Sequence, residues 1–416
     1  MEPSGRIAPP DWMRRSDTVS VMAALTAEGH VARFVGGCLR DAVVGRPVSD
    51  IDIATAAAPD DVIRLLNAAG LRAVPTGKAH GTITAVANGV PYEVTTLRRD
   101  VETDGRHAVV AFTDDWAEDA ARRDFTFNAL YADPDGALYD PTGTGIDDAR
   151  AGRVRFVGNA RERIEEDVLR LLRFFRFHAH YGDGPADADA LSACREMASQ
   201  IGTLSAERVW AELKRLLLAP DPTPTVALME EEGVLAYLLP EVRHVERLAA
   251  LVQVETGLSV PGDVIRRLAV LVDADEAGVA AIAKRLRMAA RDGARLKRLT
   301  APDIWPEPRA GDDGNRVVLY RLGDSLFRDL VLIRAANAAD SGERDVSAWN
   351  ALYSLPDRAP VPGFPLSGRD IRDAGVAEGP EVGARLAEME RWWIEGGFAA
   401  DRNACLERLR GLIRPS

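Results

Sequence analysis

The stretch GGCLRDAVVGRPVSDIDIA, residues 36–54, sets two glycines before a short helical pattern and two aspartates one residue apart after it. Val31-Ala32-Arg33-Phe34-Val35 runs into it as a β-like segment, so Gly36-Gly37 falls at a strand-to-helix turn. Glycine lets the backbone approach a phosphate closely there, and a helix N-terminus offers free N–H groups and a positive dipole end. Asp50-Ile51-Asp52-Ile53 alternates polar and apolar as a strand does, which sends both carboxylates to one face. Such a pair holds a divalent cation between its oxygens. Taken singly, a DxD is ordinarily a solvated strand or turn and a GG only a turn. No GxxxxGK[ST] or GxGxxG pattern competes with them.

Outward from this stretch the elements are short and mixed. Residues 17–29 read as a helix closed by Gly29, and Pro59 opens another to about Ala69. GTITAVAN (81–88) and PYEVTTL (91–97) flank Asn88-Gly89, a hairpin signal. Residues 98–113 are polar and weakly periodic and read as a long flexible loop. From about residue 159 the apolar spacing is helical almost throughout, interrupted at Pro220–Pro224, at Trp305-Pro306-Glu307-Pro308 and at Gly363–Gly368. This predicts an α+β chain, a mixed α/β head followed by helices.

Composition narrows the class. The 416 residues are 46% hydrophobic and 28% charged, an ordinary globular balance that excludes wholesale disorder. No apolar run approaches the roughly 18 residues of a membrane span, so no membrane role is expected. Met1–Arg15 lacks the apolar core of a secretory signal. Cys38, Cys194 and Cys405 form neither a CxxC pair nor a zinc spacing, which fits a reducing, cytoplasmic setting. The net charge of -12 argues at first sight against a nucleic-acid partner. Yet the deficit is local: residues 1–150 carry net -8, residues 151–300 are neutral, and 281–300 hold seven basic residues and one acid. As a helix, that last segment would suit an RNA backbone.

The GG…DxD stretch resembles the signature of the class II tRNA nucleotidyltransferase and poly(A) polymerase family, of the polymerase-β-like superfamily. Further segments resemble the family's motifs in the family's order. PTGKAHGTI (75–83) matches the loop before its β-hairpin, YEVTTLRRD (92–100) its strand into a flexible loop, and RRDFTFNAL (122–130) its ribose-recognition motif. EEDVLRLLRFFRF (165–177) resembles its nucleotide-templating helix, and residues 364–392 its C-terminal tail. The resemblance implies a catalytic head at 1–155 and then an elongated all-helical part. That part divides into a neck at 156–220 with the templating helix, and a body at 221–330 and tail at 331–416 that hold tRNA.

By the same resemblance Asp50 and Asp52 are catalytic and bind Mg²⁺, with Glu93 a candidate third carboxylate. Gly36, Gly37 and Arg40 meet the nucleotide, while Arg123 and Asp124 read the ribose. Asp167 and Arg170, three apart and so neighbours on one helical face, select the base, and Arg173 and Arg176 add nucleotide contacts. A 60° step per three residues turns Arg176 nearly opposite Asp167 on a straight helix. The expected activity is addition of C, C and A to the tRNA 3′ end from CTP and ATP with pyrophosphate release. Alternatives are poly(A) polymerase, an enzyme adding only A or only CC, and, from another class, a non-catalytic RNA-binding protein. Arg98, Arg99 and Asp104 in the expected loop argue against the CC-only form. No His-Asp doublet or metal spacing links the six histidines, so no second hydrolytic activity is expected.

Overall fold

The computed structural model describes residues 1–104, 107–340 and 346–413. They divide into two compact units, Met1–Pro240 with Lys284–Met288, and Glu241–Ala283 with Ala289–Ser416.

The first unit is built on an eight-stranded mixed sheet. Its strands are β1 (Gly5–Arg6), β2 (Ala32–Val35), β3 (Asp52–Thr55), β4 (Arg72–Gly77), β5 (Thr82–Ala87), β6 (Val90–Thr96), β9 (Tyr131–Ala132) and β10 (Ala137–Tyr139), separated from β7 (Arg98–Asp104) and β8 (His107–Phe112). The order is β1-β10-β9-β2-β3-β6-β5-β4, with β3 and β6 parallel and the remaining neighbours antiparallel. β2 and β3 are buried on both faces. Phe34 and Ile53 pack with Leu25, Leu66, Tyr92 and Val94, whereas Val35 and Ala54 pack with Leu97, Tyr131 and Tyr139. Two-sided burial explains why Ala32–Val35 lacks a clean polar alternation.

Most local readings hold. Helices α1 (Ser16–Leu25), α2 (Gly37–Val43) and α3 (Pro59–Ala68) stand where expected, and Gly29 has φ 86° just after α1. Asn88 and Gly89 take φ 51° and 82°, the double left-handed turn that a two-residue hairpin requires. Two readings change. The strand carrying the aspartates starts at Asp52, leaving Asp50 in the segment ahead of it. Residues 98–113 are no loop: β7 and β8 pair antiparallel as a separate two-stranded sheet, with a bulge between Asp100 and Glu102. Residues 105 and 106 of that stretch lie outside the described residues. Its charged residues hide a β signal carried by Val101, Thr103, Val109 and Val110.

α4 (Trp116–Ala121) returns the chain toward β9, and from α5 (Ala160–Glu166) onward every element is helical. α6 (Leu169–Tyr181) and α7 (Ala206–Leu217) follow in the first unit. The second unit holds α8 (Val245–Gly257), α9 (Val264–Leu271), most of α10 (Glu276–Arg285), α11 (Ala290–Thr300) and α12 (Asp324–Asp340). Its centre carries buried charge. Arg266 lies 2.7 Å from Glu255 and 2.9 Å from Asp329, Arg267 lies 2.9 Å from Glu255, and Arg295 bridges Asp329 and Asp263. No described helix is long and apolar enough to cross a membrane.

Arg266→Ala leaves Glu255 and Asp329 buried without their shared partner. Because Arg267 still pairs with Glu255 and Arg295 with Asp329, we expect a loss of about 1.5–3 kcal/mol, read as an earlier urea transition of the helical unit. A transition unmoved by the substitution would mean that the network contributes nothing to stability.

Candidate active site

Gly36 follows β2 and precedes α2 with φ 76° and ψ -133°, a left-handed backbone that makes glycine the natural occupant. A Cβ built there would lie 3.7 Å from Arg123 Nη1, 3.8 Å from Asp52 Oδ2 and 3.9 Å from Asn128 O. Gly36, Asp52, Arg123 and Asn128 therefore surround one spot. β2 and β3 pair Val35 with Asp52, and β3 and β6 pair Asp52 with Glu93. Burial pushes the Asp52 carboxyl up to about 6. The charges of Glu93 and Asp50 push it the same way, against the Arg123 guanidinium.

Asp50 is exposed and accepts the Ser49 hydroxyl at 3.0 Å. Glu93 is also exposed. No cluster of three metal-ligating side chains is preformed among the described residues. The donor set nevertheless suits a divalent cation: neighbouring carboxylates, one of them partly buried, gain from a positive charge set between them.

Arg123 is aimed by a residue that the motif reading did not single out. Asp119, on α4 and 1% exposed, receives Arg122 at 2.6 Å, Arg123 at 2.9 Å and the Tyr131 hydroxyl at 2.7 Å. Burial opposes its ionisation, but the two guanidiniums and Tyr131 outweigh it and hold the carboxyl far down. Its spacing to both arginines, i to i+3 and i+4 on a helix, was the available signal. Asp119 also accepts the Arg98 N–H at 3.3 Å, and Arg122 Nε donates to the Arg98 carbonyl at 3.0 Å, which ties the root of β7 to the same cluster.

Asp124 is nearly buried and wholly occupied. Its Oδ1 accepts Asn128 Nδ2 at 3.0 Å and the Phe125 N–H at 2.8 Å, while its Oδ2 accepts Nε and Nη2 of Arg173. A carboxylate has about four acceptor positions, so all are filled within the protein. Burial would raise this carboxyl, but Arg173 and Asn128 hold it at about 2. Arg40 is likewise committed. It donates to Asn128 Oδ1 at 2.9 Å, to the Tyr181 hydroxyl at 2.7 Å and to Asp41, and its guanidinium lies 4.0 Å from the Tyr181 ring centre. Gly37 lies against it, an added Cβ falling 3.5 Å from Arg40 Nη2.

Asp167 and Arg170 depart from the expected geometry. α5 ends at Glu166 and α6 begins at Leu169, and Asp167 sits in the break with φ -152° and ψ 104°. The two residues therefore do not share a helical face by an i,i+3 step. Asp167 Oδ2 accepts Arg208 of α7 at 2.7 Å. Arg170 turns to Glu166 at 2.5 Å and to the carbonyls of Arg163 and Arg122 at 3.0 Å each. Arg176 lies 3.0 Å from the buried Glu212 of α7. Burial and the nearby Arg173 bring Arg176 down to about 10, Glu212 opposing, so it stays charged at neutral pH. That ion pair gives Arg176 a packing role between α6 and α7.

The basic segment 281–300 is two helices, α10 and α11, with Leu286–Ala289 between them, rather than the single helix expected. Arg287 pairs with Glu207 and Lys297 with Glu276, while Lys284, Arg285, Arg291 and Arg298 are exposed. In the tail, Asp370 of the Gly368-Arg369-Asp370 motif closes a capping box with Ser367 and pairs with Arg402, a structural use of that carboxylate.

Residues 32–155 match the family described as "Poly A polymerase head domain", and residues 187–245 match "Probable RNA and SrmB- binding site of polymerase A". The chain is 33% identical to the human "CCA tRNA nucleotidyltransferase 1, mitochondrial" over 94% of its own length and 89% of the relative's. It is 30% identical to a "CCA-adding enzyme" of Lacticaseibacillus paracasei, covering 91% and 92% of the two chains. Among solved structures, the Bacillus stearothermophilus CCA-adding enzyme in complex with CTP superposes with a TM-score of 0.75 at 26% identity, covering 95% of this chain and 96% of that one.

Because the folded-state pKa of Asp52 lies above its ordinary 3.8, ionising this group costs the fold. Its contribution to stability is full below about pH 4 and is lost as pH rises through about 6. Asp52→Asn should therefore be more stable than the parent at pH 7.5 in chelator, by about 3 kcal/mol, with the gap closing toward pH 4. Thermal melts across that range check this. A parent whose advantage or deficit does not move with pH would contradict it.

Proposed function

The chain belongs to the class II tRNA nucleotidyltransferase and poly(A) polymerase family, and we propose that it adds C, C and A to the 3′ end of tRNA from CTP and ATP. The observation that carries the chemistry is the convergence of Gly36, Asp52 and Arg123 on one spot, with an Asp52 carboxyl that ionises only at a cost. The choice of CCA over poly(A) is supported by likeness to relatives named for CCA addition over about nine-tenths of both chains.

In this reading the RNA 3′-hydroxyl oxygen attacks the nucleotide α-phosphorus and its proton passes to solvent, a new O–P bond forms, and the bond to pyrophosphate breaks. Asp50 and Asp52 would hold a divalent ion, Mg²⁺ in our reading, which would supply positive charge beside the attacking and departing oxygens. Gly36 leaves room for phosphate oxygens beside Asp52. Arg123, fixed by Asp119 and Tyr131, presents its guanidinium to the ribose and phosphates without having to be ordered on binding. Asp124 has its acceptor positions filled and Arg40 spends four of its five N–H groups on Asp41, Asn128 and Tyr181, so in our reading both hold Asn128, Arg173 and the glycine turn in place.

Base choice follows from donor and acceptor chemistry. Cytosine and adenine both offer an exocyclic amine beside an unprotonated ring nitrogen. The Asp167 carboxylate accepts from the first and the Arg170 guanidinium donates to the second. Uracil and guanine present a carbonyl and an N–H there, leaving both contacts repulsive or unpaired. The exposed Lys284, Arg285, Arg291 and Arg298 are our candidates for tRNA phosphate contact. We keep the division into neck, body and tail at residues 220 and 330 as part of this reading. We also keep a reducing compartment, which three free buried cysteines favour, with the cytoplasm as our choice.

Incubation with tRNA lacking its terminal CCA, Mg²⁺ and each nucleotide singly or together should give three ordered additions that stop after A. Unlimited A tracts would support a poly(A) polymerase instead. Asp52→Ala should lose at least about 10³-fold in incorporation rate with its melting curve intact. Normal incorporation by that variant would refute the assignment.

A further inference from the structure

Two side chains expected to read one base edge are each held by a different partner in the free protein. Asp167 lies outside both helices, where backbone geometry alone does not fix its direction. Its Oδ1 accepts the Leu169 N–H at 3.1 Å and its Oδ2 accepts Arg208 Nη2 at 2.7 Å. Arg208 arrives from α7, and Glu212 one turn later on that helix grips Arg176 of α6. One helix face thus sets both the break at Asp167 and the lie of α6.

We propose that Arg208 is a specificity-determining positioning residue, which holds the Asp167 carboxylate at the angle that accepts an exocyclic amine. The inference rests on the reading of Asp167 and Arg170 as the base-selecting pair. The count of acceptors allows it. Of about four lone-pair positions on Asp167, Leu169 and Arg208 occupy two, one on each oxygen, and the remainder can accept an amine hydrogen. Without Arg208 the carboxylate keeps only its Leu169 contact and is free to turn toward Arg173, which already feels its charge. A misdirected acceptor no longer rewards cytosine or adenine over uracil and guanine, although the chemistry at Asp52 is untouched. Both partners are partly open to solvent, with 31% and 27% of their side chains exposed, so an incoming base can reach them.

The test compares the parent with Arg208→Ala, Arg208→Lys, Asp167→Ala and the Arg208→Ala/Asp167→Ala double variant. For each, kcat/KM is measured with CTP, ATP, UTP and GTP on tRNA lacking CCA or ending in CC. Arg208→Ala should shrink the preference for CTP over UTP by about tenfold or more, and Arg208→Lys should restore much of it. In the Asp167→Ala background the same change should alter the preference by less than about twofold. Equal loss with all four nucleotides, or an undiminished effect without Asp167, would assign Arg208 to folding alone and overturn the proposal. Should Arg208→Ala not fold, Arg208→Gln takes its place in both backgrounds and is judged by the same ratios. Asp167→Ala with full discrimination would instead overturn the base-selection reading, which separates the two failures.

Discussion

Asp52 is a carboxylate in a position that disfavours its own ionised form. It begins a central strand with Glu93 at its side across the parallel pair and Asp50 just upstream, and burial thins the water that would otherwise disperse the charge. The counter-charge nearby, Arg123, is already engaged by Asp119. Much of the head's geometry serves to keep this excess in place. The sheet fixes the strand, and the left-handed Gly36 leaves the space beside it open.

Around that uncompensated group the remaining charges are closely paired. A hydrogen-bonded line runs from Arg40 through Asn128 and Asp124 to Arg173, joining the glycine turn to α6. Arg122 and Arg123 share Asp119, and the Arg122 carbonyl receives Arg170. Pairing of this kind orders side chains before a ligand arrives. In the free protein Asp124, Arg40 and Arg176 engage other residues, whereas Asp52 and Arg123 face the open spot beside Gly36. The net charge of -12 loses its force as an argument against RNA, since part of the acidic excess belongs to the site itself.

What the sequence disclosed was local chemistry. Gly36, the Asn88-Gly89 turn and the Pro59 helix start each follow from a backbone preference of one or two residues, and each stands where expected. The helical character beyond residue 159 came from periodicity summed over long stretches. Errors arose where a distant partner decides. The break between α5 and α6 coincides with pairing of Asp167 to Arg208, 41 residues on, which no spacing rule contains. β7 and β8 escaped notice because strands rich in charge lack the apolar alternation that marks a half-buried sheet. Nothing in the sequence names the partners of Arg208 and Glu212, which are Asp167 and Arg176.

The central claim is that the site stores an unfavourable carboxylate for a cation to relieve. The most direct measurement is the titration of the Asp52 side-chain carbonyl carbon by NMR in aspartate-labelled protein, assigned by its absence in Asp52→Asn. Without metal the midpoint should fall near about 6, and saturating Mg²⁺ with CTP should bring it below the ordinary 3.8. A metal-free midpoint at the ordinary value, unmoved by the ion and nucleotide, would contradict the account.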